Sequence, residues 1–209
     1  MGYDFAPELR LVTRVRRFSQ AISEGDGISV VAEVDGPEAA RRAETEGAEG
    51  LLVPGGREGE LRGIREAVSV PILFYWAGEG ADRLSGADAC IVEVAASSGA
   101  LPSGDMVGRA HLELNDDFEL ALRVEDEEQL EDALEKFDPE LFVLAGKDDE
   151  PLERVLDLLP DVPAGKLVIA ELPATTRADV DVLERAGIDA VIVRTGSVAE
   201  LVGEPPPEV

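Results

Sequence analysis

The chain repeats one phrase. Gly47-Ala48-Glu49-Gly50 runs into Leu51-Leu52-Val53, Gly86-Ala87-Asp88-Ala89 into Cys90-Ile91-Val92, and Gly187-Ile188-Asp189-Ala190 into Val191-Ile192-Val193. Each reads as a helix ended by glycine, a short polar turn and an apolar strand. Uninterrupted apolar strands suit a parallel sheet covered on both faces. A chain that reuses this joint reads as a parallel α/β barrel or a doubly wound sheet. In both, chemistry sits at the opposite, carboxyl ends of the strands.

Eight strands follow from the apolar runs: Ile28–Val34, Gly50–Val53, Pro71–Trp76, Ala89–Val94, Phe118–Val124, Leu141–Ala145, Leu167–Leu172 and Ala190–Arg194. Helical patterns fall at about Pro37–Glu46, Gly59–Ala67, Glu127–Lys136, Pro151–Leu159, Ala178–Ala186 and Val198–Val202. Pro37 suits a first helical position. Between Trp76 and Ala89 there is too little chain for a full helix, and Ala95–Asp116 carries only a weak helical signal. The alternation predicts the α/β class and a compact (βα)8 TIM barrel, with shortened third and fourth crossovers. Residues 8–22 read as an amphipathic helix whose Leu11, Val12, Val15, Phe18 and Ile22 share a face. It is expected to close one barrel end, with Arg10, Arg14, Arg16 and Arg17 on its solvated side. The expectation is a single domain over 1–209, with a helical N-terminal extension over 1–27 and a frayed tail over 204–209.

Charge narrows the partners. With 45 acidic and 19 basic residues the net charge is −26, which argues against nucleic acid or an anionic membrane surface. No apolar run approaches the roughly 20 residues of a membrane span. Met1–Arg17 is charged and lacks the apolar centre of a signal peptide, so a cytoplasmic protein is expected. Cys90 is the only cysteine and lies in an apolar strand, which points to the core. His111 is the only histidine, so a zinc site and a metal cofactor are not expected.

Val30-Val31-Ala32-Glu33-Val34, Leu120–Leu130, Leu167–Glu171 and Ala186–Arg194 resemble strands one, five, seven and eight of indole-3-glycerol phosphate synthases. The resemblance covers about residues 28–203. It implies a carbon–carbon lyase of tryptophan biosynthesis that closes an indole ring on a phosphorylated carboxyphenylamino-deoxyribulose. It places Glu33 and Glu171 at two of the family's carboxylates. The remaining working positions differ. The strand-one lysine is Asp35, the general-acid lysine of strand three is Tyr75, and the strand-five glutamate is Arg123. The strand-six asparagine falls at Ala145, with Lys147 near the family's arginine. Leu172-Pro173 replaces Ser-Gly after strand seven, and Arg194 replaces a phosphate-binding glycine. Tyrosine ionises near 10 and is a poor substitute for a general acid, and arginine cannot serve as a base.

Strand alternation converges on the same positions. If Glu33 points into the barrel, so does Asp35. Tyr75, Glu93, Arg123, Lys147, Glu171 and Arg194 then also face the mouth. Three readings stay open. The first is a diverged member of the family that lacks the normal catalytic set and either binds a small anionic metabolite or has lost activity. There Arg194 and Lys147 grip the anion near Thr195-Gly196-Ser197, with Arg123, Asp35 and Glu93 lining the pocket. The second is a working lyase using Glu33, Glu171 and Tyr75. The third is a structural or partner-binding barrel whose mouth is a salt-bridged plug. Direct contact of Arg123 and Arg194 with Glu33, Glu93 and Glu171 is the geometry expected of the plug. The oligomeric state is left open. Lesser candidates are an anion cradle or plain turn at Gly55-Gly56-Arg57 and a Mg²⁺ site at Glu33, Asp35 and Glu93. The adjacent arginines argue against the Mg²⁺ site.

Overall fold

A computed structural model of the chain describes residues 17–25, 27–94, 106–114, 118–146, 149–194 and 198–202. Eight parallel strands close into a barrel in chain order: β1 (Ser29–Glu33), β2 (Gly50–Val53), β3 (Ile72–Tyr75), β4 (Ala89–Glu93), β5 (Glu119–Val124), β6 (Leu141–Ala145), β7 (Leu167–Glu171) and β8 (Ala190–Val193). This is a (βα)8 TIM barrel. The helices are α1 (Phe18–Ser23), α2 (Pro37–Thr45), α3 (Leu61–Ala67), α4 (Met106–Glu113), α5 (Glu127–Lys136), α6 (Pro151–Leu158), α7 (Arg177–Ala186) and α8 (Val198–Leu201). No α-helix joins β3 to β4; a 3-10 turn at Ala81–Arg83 replaces it, as the short sequence there requires. The weakly signalled fourth crossover does contain a helix, α4, whose Val107 and Ala110 are buried. Among the described residues no helix is long and apolar enough to cross a membrane.

Two apolar layers follow from strand alternation. One face of each strand packs beneath the helices, with Phe74, Cys90, Val92, Leu144 and Ala170 among its buried members. Burial pushes the Cys90 thiol up to about 12, with Glu79 adding to the rise, which suits a packed core residue rather than a nucleophile. The other face fills the barrel with Val31, Leu52, Leu73, Ile91, Val143, Ile169 and Ile192. Phe18 and Ile22 of α1 belong to this inner layer, so α1 stoppers the amino-terminal end of the barrel. Gly50 makes that possible: a Cβ there would lie 3.2 Å from the Phe18 ring. Glu119, at the start of β5, holds the stopper by accepting from the Ser19 backbone N–H at 3.1 Å and from its hydroxyl. The expected helix over residues 8–16 lies outside the described residues.

The repeated phrase proves to be a strand-pinning device as well as a helix stop. Gly47, Gly86 and Gly187 all adopt positive φ (101°, 121° and 91°), the left-handed region that favours glycine. At Gly47 and Gly187 this ends an α-helix. Gly86 instead follows the 3-10 turn, and a Cβ there would come within 2.9 Å of the Leu61 carbonyl oxygen. In the second and third copies the acid two residues on then reaches a neighbouring strand with its side chain, whereas Glu49 in the first uses only its backbone N–H, to the Val30 carbonyl at 3.0 Å. Asp88 donates its N–H to the Ile72 carbonyl at 2.8 Å and accepts the Ile72 N–H on Oδ2 at 2.7 Å. Asp189 repeats this on Val168, at 3.0 and 2.7 Å. Each aspartate thus closes a two-bond ring at the start of a neighbouring strand, on its first (Ile72) or second (Val168) residue, and satisfies that residue's backbone N–H. Arg65 also donates to Asp88, at 2.8 Å.

Removing one of these rings isolates its contribution. Asp189→Ala leaves the buried Val168 N–H unpaired and is expected to lower unfolding free energy by about 2 kcal/mol. A urea denaturation midpoint unchanged from the parent would show that the side-chain bond contributes nothing.

Candidate functional site at the barrel mouth

The carboxyl ends of β1, β3, β4, β5, β7 and β8 deliver six polar side chains to one place. Register explains the convergence. Glu93 lies beside Arg123 across β4–β5, and Ala145 beside Glu171 across β6–β7. Alternation turns these side chains inward, above the last apolar layer of Ile91, Val143, Ile169 and Ile192.

Glu171 is the centre. It is only 3% exposed, and each of its oxygens meets a different guanidinium. Arg123 Nε donates to Oε2 at 2.5 Å, and Arg194 Nη2 donates to Oε1. Arg123, itself 5% exposed, extends the network through Nη1 to Glu93 at 3.3 Å and to Glu125. Arg194 Nε reaches Glu33 Oε2 at 3.3 Å. The Tyr75 hydroxyl donates to Glu93 Oε1 at 2.5 Å. The geometry expected of a plug is therefore present: both arginines touch all three of Glu33, Glu93 and Glu171 between them.

The electrostatics follow from this packing. Burial disfavours charge on Arg123, but the carboxylates of Glu171 and Glu125 outweigh it and hold the guanidinium above its ordinary range. Burial also pushes the Tyr75 phenol well above its ordinary value, helped by its hydrogen bond to Glu93. Glu33 is raised by burial, with Arg194 pulling it back and the nearby Glu171 adding to the rise.

The expected site residues fare unequally. Glu33, Tyr75, Glu93, Arg123, Glu171 and Arg194 come together. Asp35 does not: it lies beyond the end of β1, is exposed, and joins no ion pair among the described residues. Strand parity still holds one residue past a strand, at Arg194 and Glu125, but not two residues past, at Asp35. Lys147, Thr195, Gly196 and Ser197 lie outside the described residues. Two participants were not anticipated. Glu125 joins Arg123, and extending the alternation by one more step, from 123 to 125, would have found it. Glu46, just past α2, accepts the Val198 N–H at 3.1 Å and so occupies the start of α8 with a carboxylate of the chain's own. No local signal marks it, since the contact spans 152 residues of chain.

The lesser candidates take no part in the network. Gly55-Gly56-Arg57 is an exposed turn, His111 is exposed on α4, and the described residues contain no cluster of three or more potential metal ligands. Trp76 is buried under the short β3–β4 connection, its indole N–H donating to the Glu79 carbonyl at 2.7 Å and Arg109 lying 5.7 Å over its ring.

Comparison with known proteins agrees with the architecture. No family model matches the chain. Over 152 aligned residues the chain is 28% identical to an indole-3-glycerol phosphate synthase from Geobacillus sp. (strain WCH70), an alignment that covers 66% of this chain. The chain spans about half, 55%, of that synthase's length. Among solved structures, a phosphoenolpyruvate phosphomutase from Streptomyces platensis subsp. rosaceus matches with a TM-score of 0.62 at 18% identity, covering 85% of this chain and 79% of that one. The first similarity is distant, and the second bears on the fold alone.

Two measurements probe the network. Glu171→Gln leaves two guanidiniums facing a neutral amide and should cost about 3–5 kcal/mol of stability by chemical denaturation. Glu33 has a raised folded pKa, so the stability tied to its neutral form is full below the unfolded value of 4.5 and is lost as pH rises through the folded value. Glu33→Gln is therefore expected to gain on the parent as pH rises from 4.5 through the folded value, and to hold that gain above it. A stability difference that stays flat with pH would refute the burial effect.

Proposed function

We propose that this barrel is a distant relative of indole-3-glycerol phosphate synthase that does not close the indole ring, its mouth having been rebuilt as a structural ion-pair plug. The observation that carries this reading is the placement of Arg123. It stands where the resemblance calls for a carboxylate, and it binds the one strand-seven carboxylate that the resemblance preserves. Glu171 spends both oxygens on guanidiniums and has none directed at a substrate.

The working-lyase reading asks too much of the remaining groups. A phenol pushed above its ordinary range and already donating to Glu93 is a weak proton source. Glu33 alone remains as an acid or base, and ring closure with loss of water and carbon dioxide needs more than one. An anion in the barrel axis is disfavoured as well. Among the described residues four carboxylates, Glu33, Glu93, Glu125 and Glu171, surround two guanidiniums, so the arginines are already neutralised.

The test is direct. The protein is incubated with the carboxyphenylamino-deoxyribulose phosphate substrate and indole product is followed by its absorbance. No turnover above the uncatalysed rate is expected. Turnover that disappears in Glu33→Gln would establish the lyase instead.

A further inference from the structure

Strand β1 passes to helix α2 through one unfastened peptide group. Just past β1, the Val34 N–H donates to the Leu52 carbonyl at 2.9 Å. At the start of α2, the Gly36 carbonyl accepts the Ala40 N–H at 3.0 Å. Between these anchors, the Asp35 carbonyl and the Gly36 N–H have no hydrogen-bond partner among the described residues. The Asp35 side chain is exposed and joins no ion pair among them. Gly36 is extended, and a Cβ placed on it would meet only Glu60 Oε2, at 4.0 Å.

These are the conditions under which a backbone nitrogen attacks the side chain before it. The carboxyl must be free, the next residue must not crowd the nitrogen, and the peptide group must be able to turn without breaking a bond. Asp35–Gly36 meets all three. We propose that it is a site of covalent rearrangement to isoaspartate at the barrel mouth. The Gly36 nitrogen bonds to Asp35 Cγ, loses its proton, and the carboxyl hydroxyl leaves as water. A five-membered imide results. Water then adds back at either imide carbonyl. Addition at Cγ restores aspartate. Addition at the main-chain carbonyl leaves the chain running through Cβ and Cγ, with the carboxylate on Cα. Atoms balance, and no oxidant or reductant is needed. The product is one methylene longer between the strand that carries Glu33 and the helix that follows it. The step uses none of the ion-paired groups of the mouth and is independent of the plug.

The full chain is held folded at physiological temperature for several weeks and then cut with a glutamate-specific protease. Cleavage after Glu24, Glu33 and Glu38 separates residues 34–38 from the other Asp-Gly pair, Asp26-Gly27, of which Asp26 lies outside the described residues. Isoaspartate in each peptide is counted by methyl transfer from S-adenosylmethionine with an isoaspartyl methyltransferase. The 34–38 peptide is expected to gain isoaspartate at a rate within about tenfold of that in the chain unfolded in guanidinium. Gly36→Ala should slow the gain about fivefold, since its methyl group crowds the attacking nitrogen. Asp35→Ala should abolish the signal in that peptide. A folded rate below the stated range, an unchanged rate in Gly36→Ala, or a signal that persists in Asp35→Ala would each overturn the proposal.

Discussion

Among the described residues, the ion-pair network at the carboxyl end of this barrel follows from one buried carboxylate. Glu171 sits at 3% exposure on a strand whose neighbours fill the barrel with aliphatic side chains. An ionised group there is tolerated only if its charge is met directly. Two guanidiniums meet it, one per oxygen, and each then needs further carboxylates. Glu93 and Glu125 answer Arg123, Glu33 answers Arg194, and Tyr75 is drawn in through Glu93. The network spreads outward until its members reach solvent.

The two ends of the barrel solve different problems. At the amino-terminal end the surplus space is closed by apolar bulk, with Phe18 seated over Gly50 and α1 tied down by Glu119. At the mouth the described side chains above the last apolar layer are joined by charge. An apolar stopper is nondirectional and tolerates exchange of similar volumes. A charged one is geometrically demanding, and losing one partner strands the others. A frame of this kind keeps its architecture while its working positions change, because helix-to-strand joints and strand ends are built by separate residues.

That separation also explains what could be read from the amino-acid order. The joints were legible because glycine at positive φ and the following apolar run are local signals. The inward set Glu33, Tyr75, Glu93, Arg123, Glu171 and Arg194 was legible because alternation within a strand is local too. Asp35, two residues past the end of β1, was misread because the alternation does not carry that far, although it does carry the one residue to Arg194. Glu46 was invisible, because its partner at Val198 is close only once the barrel has closed. The pairing pattern within the mouth belongs to the same class: sequence supplied the charges, and register between strands decided which met which.

The two aspartate rings have a mechanical consequence. Asp88 pins the seam between β3 and β4, and Asp189 pins the seam between β7 and β8. In a ring of eight strands these seams lie diametrically opposite each other. Slippage of a strand at either seam must therefore break a side-chain bond as well as the backbone ladder. This spacing of four strands divides the barrel into two halves that begin on equivalent fastenings. Both fastenings are made by residues that take no part in the ion-pair network at the mouth.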